Sequence, residues 1–76
     1  MLNEIAIDNI IKLRKEKNLS QKEFGKVVNL TRHQISDIET GRTKNIDLQL
    51  LERFAEKFGL EISYFLKNNY HSKYLN

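Results

Sequence analysis

The stretch SQKEFGKVVNLTRHQISDIETG, Ser20 to Gly41, carries the same helix-start signal twice within a dozen residues. Ser20-Gln21-Lys22-Glu23 opens it as a capping box, with a serine hydroxyl placed to accept from the amide three residues on and a glutamate placed to return to the serine's own amide. A helix therefore starts at Gln21, with Phe24, Val27 and Val28 as its buried stripe. Asn29 accepts a positive φ and ends that helix after one short run. Thr31 then repeats the N-cap and Gln34 the return bond, so a second helix follows almost at once. Ile35 and Ile38 are its apolar positions, backed by Leu30 ahead of the cap, and Gly41 closes it.

Outward from this pair the pattern stays helical. Ile7, Ile10, Ile11 and Arg14, with Leu13 beside them, predict an amphipathic helix running to about Lys17, with Asn18 as a left-handed terminator. Arg42 to Ile46 reads as a polar loop. Asp47 caps a fourth helix, in which Leu48, Leu51, Phe54, Ala55 and Phe58 recur at three and four, and Gly59 ends it. Glu61 to Lys67 has Ile62, Phe65 and Leu66 on one side and predicts a short fifth helix. Residues 68–76 have no regular pattern and are expected to fray or to join a dimer contact, although Tyr70 and Tyr74 suit one further turn. With no sustained period-two alternation, no repeat and no low-complexity linker, the expected fold is all-α, with one five-helix domain over 1–67 and a tail over 68–76.

Composition narrows the function classes. The 76 residues include no proline and no cysteine, so the core holds by packing alone, and a second subunit is expected to help a chain this small. The absence of cysteine fits a reducing interior, no apolar run approaches the roughly 20 residues that span a bilayer, and the first residues lack the order of a signal peptide. A cytoplasmic location without membrane contact is expected. Positions 1–46 hold nine Lys/Arg against six Asp/Glu, whereas positions 47–66 hold two against four, so one end of the domain is basic and another acidic. Two histidines and no cysteine, without a nucleophile–base pair or a metal-ligand spacing, argue against an enzyme, and no cofactor is expected. No ligand-sensing domain is visible, so control by protein concentration or by a partner is expected in place of a small-molecule ligand. His33 and Asp37 stand four apart on one helix, a spacing open to a metal but read here as part of an outer face; His71 falls in the tail, where exposure is the plain expectation.

Two capped helices about three residues apart, the second short and polar on one side, form the unit that DNA-binding proteins insert into the major groove. The first helix crosses the backbone and needs donors at its start, which Gln21 and the free amides there supply. The second must show long hydrogen-bonding side chains while Ile35 and Ile38 hold its back; Arg32, His33, Ser36 and Asp37 are left on the outer face.

The set Leu13-Arg14, Leu19-Ser20-Gln21, Phe24, Leu30-Thr31, Ile35-Ser36, Ile38-Glu39 and Gly41, continued by Leu51, Phe54-Ala55, Phe58-Gly59-Leu60 and Phe65-Leu66, resembles the Xre/Cro/lambda-repressor-like helix-turn-helix family over about Ile7 to Leu66. The resemblance implies roles. Gln21 is similar to the residue that bonds a phosphate and braces the recognition helix, or is a plain first-turn residue. Arg32 and His33 fall at the first base-contacting positions and Ser36 and Asp37 at later ones. Arginine pairs best with guanine O6 and N7. His33 meets a base or a phosphate; Asp37 accepts from cytosine N4, selects by repulsion, or makes an intrahelical salt bridge. Thr31, Arg42, Lys44 and Asn45 correspond to flanking phosphate contacts, though Arg42 and Lys44 also suit a solvated loop. Arg14 and Glu39 resemble the family's buried ion pair. Gly25 departs from the usual alanine and Ile46 from a common proline, and Lys44-Asn45-Ile46 is closer to restriction-modification controllers and some phage regulators. The implied protein is a homodimeric regulator binding double-stranded DNA at a near-palindromic operator, self-associating through Ile62, Tyr64, Phe65 and the tail. The alternative is an antitoxin or protein-interaction module on the same fold, to which Tyr64, Tyr70 and Tyr74 would offer a surface.

Overall fold

Helix boundaries in this chain fall where a cap closes the free backbone groups, as a computed structural model describing residues 2–44 and 46–68 shows. In order come α1 (Leu2–Glu16), α2 (Gln21–Val28), α3 (Arg32–Thr40), α4 (Leu48–Phe58) and a 3-10 segment (Ile62–Leu66). Asn45, and the stretch 69–76 with Tyr70, His71 and Tyr74, lie outside the described residues. Asn18 takes φ 57° and closes α1 at Glu16, one residue before the expected end. The Ser20 hydroxyl accepts from the Glu23 amide at 3.0 Å and the Glu23 carboxylate from the Ser20 amide at 2.8 Å. Those hydrogen bonds from Ser20, backbone first and hydroxyl second, hold the Glu23 carboxyl below its ordinary range. Asn29, Gly41 and Gly59 close α2, α3 and α4 with left-handed φ, and the Asp47 carboxylate caps α4 through the Leu50 amide at 2.9 Å.

The core is aromatic at its centre. Phe24 of α2 stacks on Phe54 of α4 at 5.3 Å between ring centroids, and Phe54 meets Phe65 of the 3-10 segment at 6.1 Å. All three rings are fully buried; truncating one to alanine costs about 3–5 kcal/mol. The stripe of α1 that meets them is Ala6, Ile10 and Leu13, whereas Ile7 and Ile11 are only partly buried. Val27 (38% exposed) and Leu48 (59%) stand outside, contrary to the periodic reading of α2 and α4. Ile46, at the position where proline is common in resembling sequences, is in the core at 6% exposed.

The segment expected as a fifth helix is instead the 3-10 segment. Glu61, its first flanking residue, makes no side-chain cap bond, so nothing nucleates an α-turn there. Its C-terminal carbonyls are taken by a side chain from elsewhere: the buried Asn9 amide on α1 donates to Phe65 O at 3.0 Å and Lys67 O at 2.9 Å. Three residues per turn put Ile62 and Phe65 on the same side, where Phe65 is fully buried and Ile62 half-buried. Phe65, expected at a self-association surface, is therefore fully buried and unavailable to a second chain. Tyr64 lies against α1, its hydroxyl donating to Glu16 at 3.0 Å. Among the described residues no helix is long and apolar enough to cross a membrane.

Candidate nucleic-acid interface

The α2–α3 junction is shortened by a close backbone approach. Asn29 reverses the chain (φ 62°, ψ 43°) and the Leu30 amide folds back to the Gly25 carbonyl at 2.7 Å. The Leu30 carbonyl oxygen then passes over Gly25, where an added Cβ would lie 2.4 Å from it. Glycine is the residue without the atom that would force this strand of backbone outward. The alanine usual in resembling sequences does not fit this geometry unless the junction shifts.

Helix α3 divides its side chains sharply. Gln34 is spent on the cap, accepting from the Thr31 amide at 2.9 Å, while its own amide donates to the Thr31 hydroxyl oxygen at 3.0 Å. The Thr31 hydroxyl hydrogen stays available as a donor. Ile35 and Ile38 are buried. Arg32 and His33 are exposed in the first turn, and Ser36 and Asp37 follow half-buried one turn later on the same side. His33 Nε2 lies 3.5 Å from Asp37 Oδ2, so the intrahelical pair weighed for Asp37 is present, as a loose contact.

Glu39 faces the opposite way. Its carboxylate accepts from Arg14 Nε at 2.6 Å, from Arg14 Nη2 at 3.0 Å and from Gln21 Nε2 at 3.0 Å, while Arg14 Nη1 donates to Leu19 O at 3.0 Å. One acid thus joins α1, α2 and α3. The bidentate fork is the strong form of the arginine–carboxylate contact, and with Glu39 only 7% exposed the pair sits at the inner back of α3. The Gln21 side chain therefore braces α3, and what α2 offers outward at this point is main chain.

At the far end of α3, Gly41 turns left-handed (φ 84°) and the Asp37 carbonyl collects the Arg42 amide at 2.9 Å and the Thr43 amide at 3.1 Å. The loop that follows leaves Arg42 and Lys44 exposed. Among the described residues Arg32, Arg42 and Lys44 make no ion pair, so these charges are open to an external anion. Asn3, at the start of α1, donates to the Lys44 carbonyl at 2.9 Å and pins this loop. Sequence reasoning passed over Asn3, since a contact 41 residues distant leaves no local pattern. The neighbouring Asn45 is outside the described residues.

A polar-fronted helix, braced from behind and flanked by cations that make no ion pair among the described residues, has the chemistry to hydrogen-bond base edges while its flanks meet phosphate. Comparison with curated proteins and with solved structures returns no match. A family model described as helix-turn-helix matches residues 10–65, from the α1 core position Ile10 to the buried Phe65. That span holds α2, α3, the cap pair and the Arg14–Glu39 clamp, and the chain belongs to the Xre/Cro/lambda-repressor-like helix-turn-helix family of DNA-binding regulatory domains.

Proposed function

We propose that this chain is a sequence-specific transcription regulator that lays α3 in the major groove of double-stranded DNA and works in the cytoplasm as a homodimer on a near-palindromic operator. The observation that carries the reading is the outward set Arg32, His33, Ser36 and Asp37 on a helix whose remaining side chains are largely committed to core, cap or clamp. Arg32 reads guanine through O6 and N7, Asp37 accepts from cytosine N4, and His33 and Ser36 reach bases or nearby phosphates. Thr31, Arg42, Lys44 and Asn45 anchor the flanks, and the free amides at the start of α2, including that of Gln21, meet phosphate. Recognition helices of two protomers enter successive grooves about 34 Å apart. Self-association runs through Ile62, Tyr64 and the partly exposed Leu66, with the domain over 1–67 and the segment 68–76 contributing to the contact.

A mobility-shift series at two salt concentrations tests it. Four cations per dimer, Arg42 and Lys44 from each protomer, give a slope of about −3.6 in log K against log salt, hence a loss of roughly 100-fold between 50 and 200 mM. A protein-interaction module gives no shift at either salt. Sedimentation at micromolar concentration tests the dimer: a monomer both with and without DNA removes it.

A further inference from the structure

Asp37 is the acid among the outward side chains of α3, and a carboxylate between two phosphate ridges is repelled by both. Its partner is not a permanent cation. The group within reach is the His33 imidazole one turn earlier, at 3.5 Å, with side chains 78% and 29% exposed for His33 and Asp37. Arg32 adjoins His33 in sequence and the Arg42 amide meets the Asp37 carbonyl, yet among the described residues neither these arginines nor Lys44, nor any charged group of α1, α2 or α4, comes within ion-pair distance of either side chain. Compensation of this acid is thus left to the side chain type that changes charge between pH 5 and 8.

Resting on the major-groove reading of α3, we propose that the His33–Asp37 pair links duplex binding to one proton per protomer and sets the preference at one base pair of each half-site by its protonation. A protonated imidazole donates from both ring nitrogens, so Nε2–H closes on Asp37 while Nδ1–H is free for a phosphate or a purine acceptor. The phosphate ridges favour this cation in the complex more than in the free protein, and a species that holds more protons is favoured as pH falls. With the imidazole neutral, the carboxylate is unscreened: it repels the ridges and tolerates only the amino donor of cytosine. Low pH therefore tightens binding and relaxes discrimination at that base pair; high pH weakens binding and sharpens it. A difference of one pH unit in proton affinity between free and bound states is worth about tenfold in binding.

The test uses the whole chain and a duplex recovered by selection from random-sequence DNA. Anisotropy titrations from pH 6 to 8 at constant ionic strength are paired with calorimetry in two buffers of different ionisation enthalpy, which counts the protons taken up. Affinity tighter at pH 6 than at pH 8 by up to about tenfold per protomer, hence up to about a hundredfold for the dimer, with net proton uptake, is expected. His33→Gln should bind equally at both pH values without uptake, and Asp37→Asn should bind more tightly than the parent at pH 8 and lose preference at one base pair. Both sites are on the outer face of α3, and melting curves verify that the variants fold. A flat profile for the parent, or uptake that survives in His33→Gln, overturns the proposal. Absence of any retained duplex at every pH overturns the DNA reading itself, and this inference with it.

Discussion

Replacing Glu39 by alanine removes the acceptor shared by three helices, and the structure allows the cost to be worked out. The carboxylate receives two bonds from Arg14 and one from Gln21, at 7% exposure. After Glu39→Ala the Arg14 guanidinium, 17% exposed, keeps only the Leu19 carbonyl. Breaking such a pair costs about 3–5 kcal/mol, because the remaining charge stays desolvated. The Gln21 amide adds little, since it is half-buried and can swing toward water. A chain of 76 residues has a total stability of roughly 4–11 kcal/mol, so the substitution removes about a quarter of it or more and lowers Tm by at least about 12 °C. Denaturant unfolding followed by circular dichroism measures this, with the m-value showing whether the transition stays two-state. Glu39→Gln should recover only part, because its one carbonyl oxygen cannot serve all three donors and its amino group opposes one of them. Arg14→Met with Glu39→Met should come back near the parent, the cost being that of an orphaned charge and not the net worth of the pair. A Glu39→Ala midpoint within about 0.5 kcal/mol of the parent at unchanged m refutes the reasoning.

Arg32→Ala should cost about 1–3 kcal/mol of binding and relax preference at one base pair, whereas Lys44→Ala should weaken all duplexes alike and reduce the salt slope by about 0.9 per lost contact; identical behaviour across a panel of operators sinks the division into readers and anchors. Gly25→Ala gains about 1 kcal/mol of helix propensity, but its Cβ would meet the Leu30 carbonyl at 2.4 Å. A net loss of at least about 1 kcal/mol is expected by denaturant midpoint, and a stabilised variant contradicts the close approach. Burial, then the Glu16 hydrogen bond, push the Tyr64 phenol up to about 12. With the folded value above the unfolded one near 10, stability is intact below about 10 and is lost as pH rises through about 12. An absorbance titration of the parent against Tyr64→Phe isolates this phenol, and ionisation near 10 excludes the Glu16 contact.

What could be seen in the sequence was whatever is decided locally. Both capping boxes, the left-handed Asn18 and Asn29, and the glycine stops at 41 and 59 depend on residues a few positions apart, and they stand as expected. Contacts between distant segments escaped. Asn9 looks polar on α1 yet is buried, because it serves carbonyls 56 and 58 residues away; Asn3 pins a loop across 41 residues. Apolar spacing marks a helix without fixing which edge of its stripe is wet, so Val27 and Leu48 fit the pattern yet stand outside, while the buried Ala6 is too small to signal. At the candidate site the outward set was visible as what remains once core and caps are assigned. The Arg14–Glu39 pair is legible only through resemblance, and the Gln21 hydrogen bond to the same acid has no local signal in the sequence.

The partition of α3 bears on how such a domain diversifies. Structural duties rest on Thr31, Gln34, Ile35, Ile38 and Glu39, leaving positions 32, 33, 36 and 37 with no hydrophobic core or capping task. If α3 reads DNA as proposed, those four are a rewritable label on a fixed mount: new target sequences become reachable through substitutions that leave the scaffold's thermodynamics nearly untouched. Selection can therefore explore addresses on DNA without first acquiring spare stability.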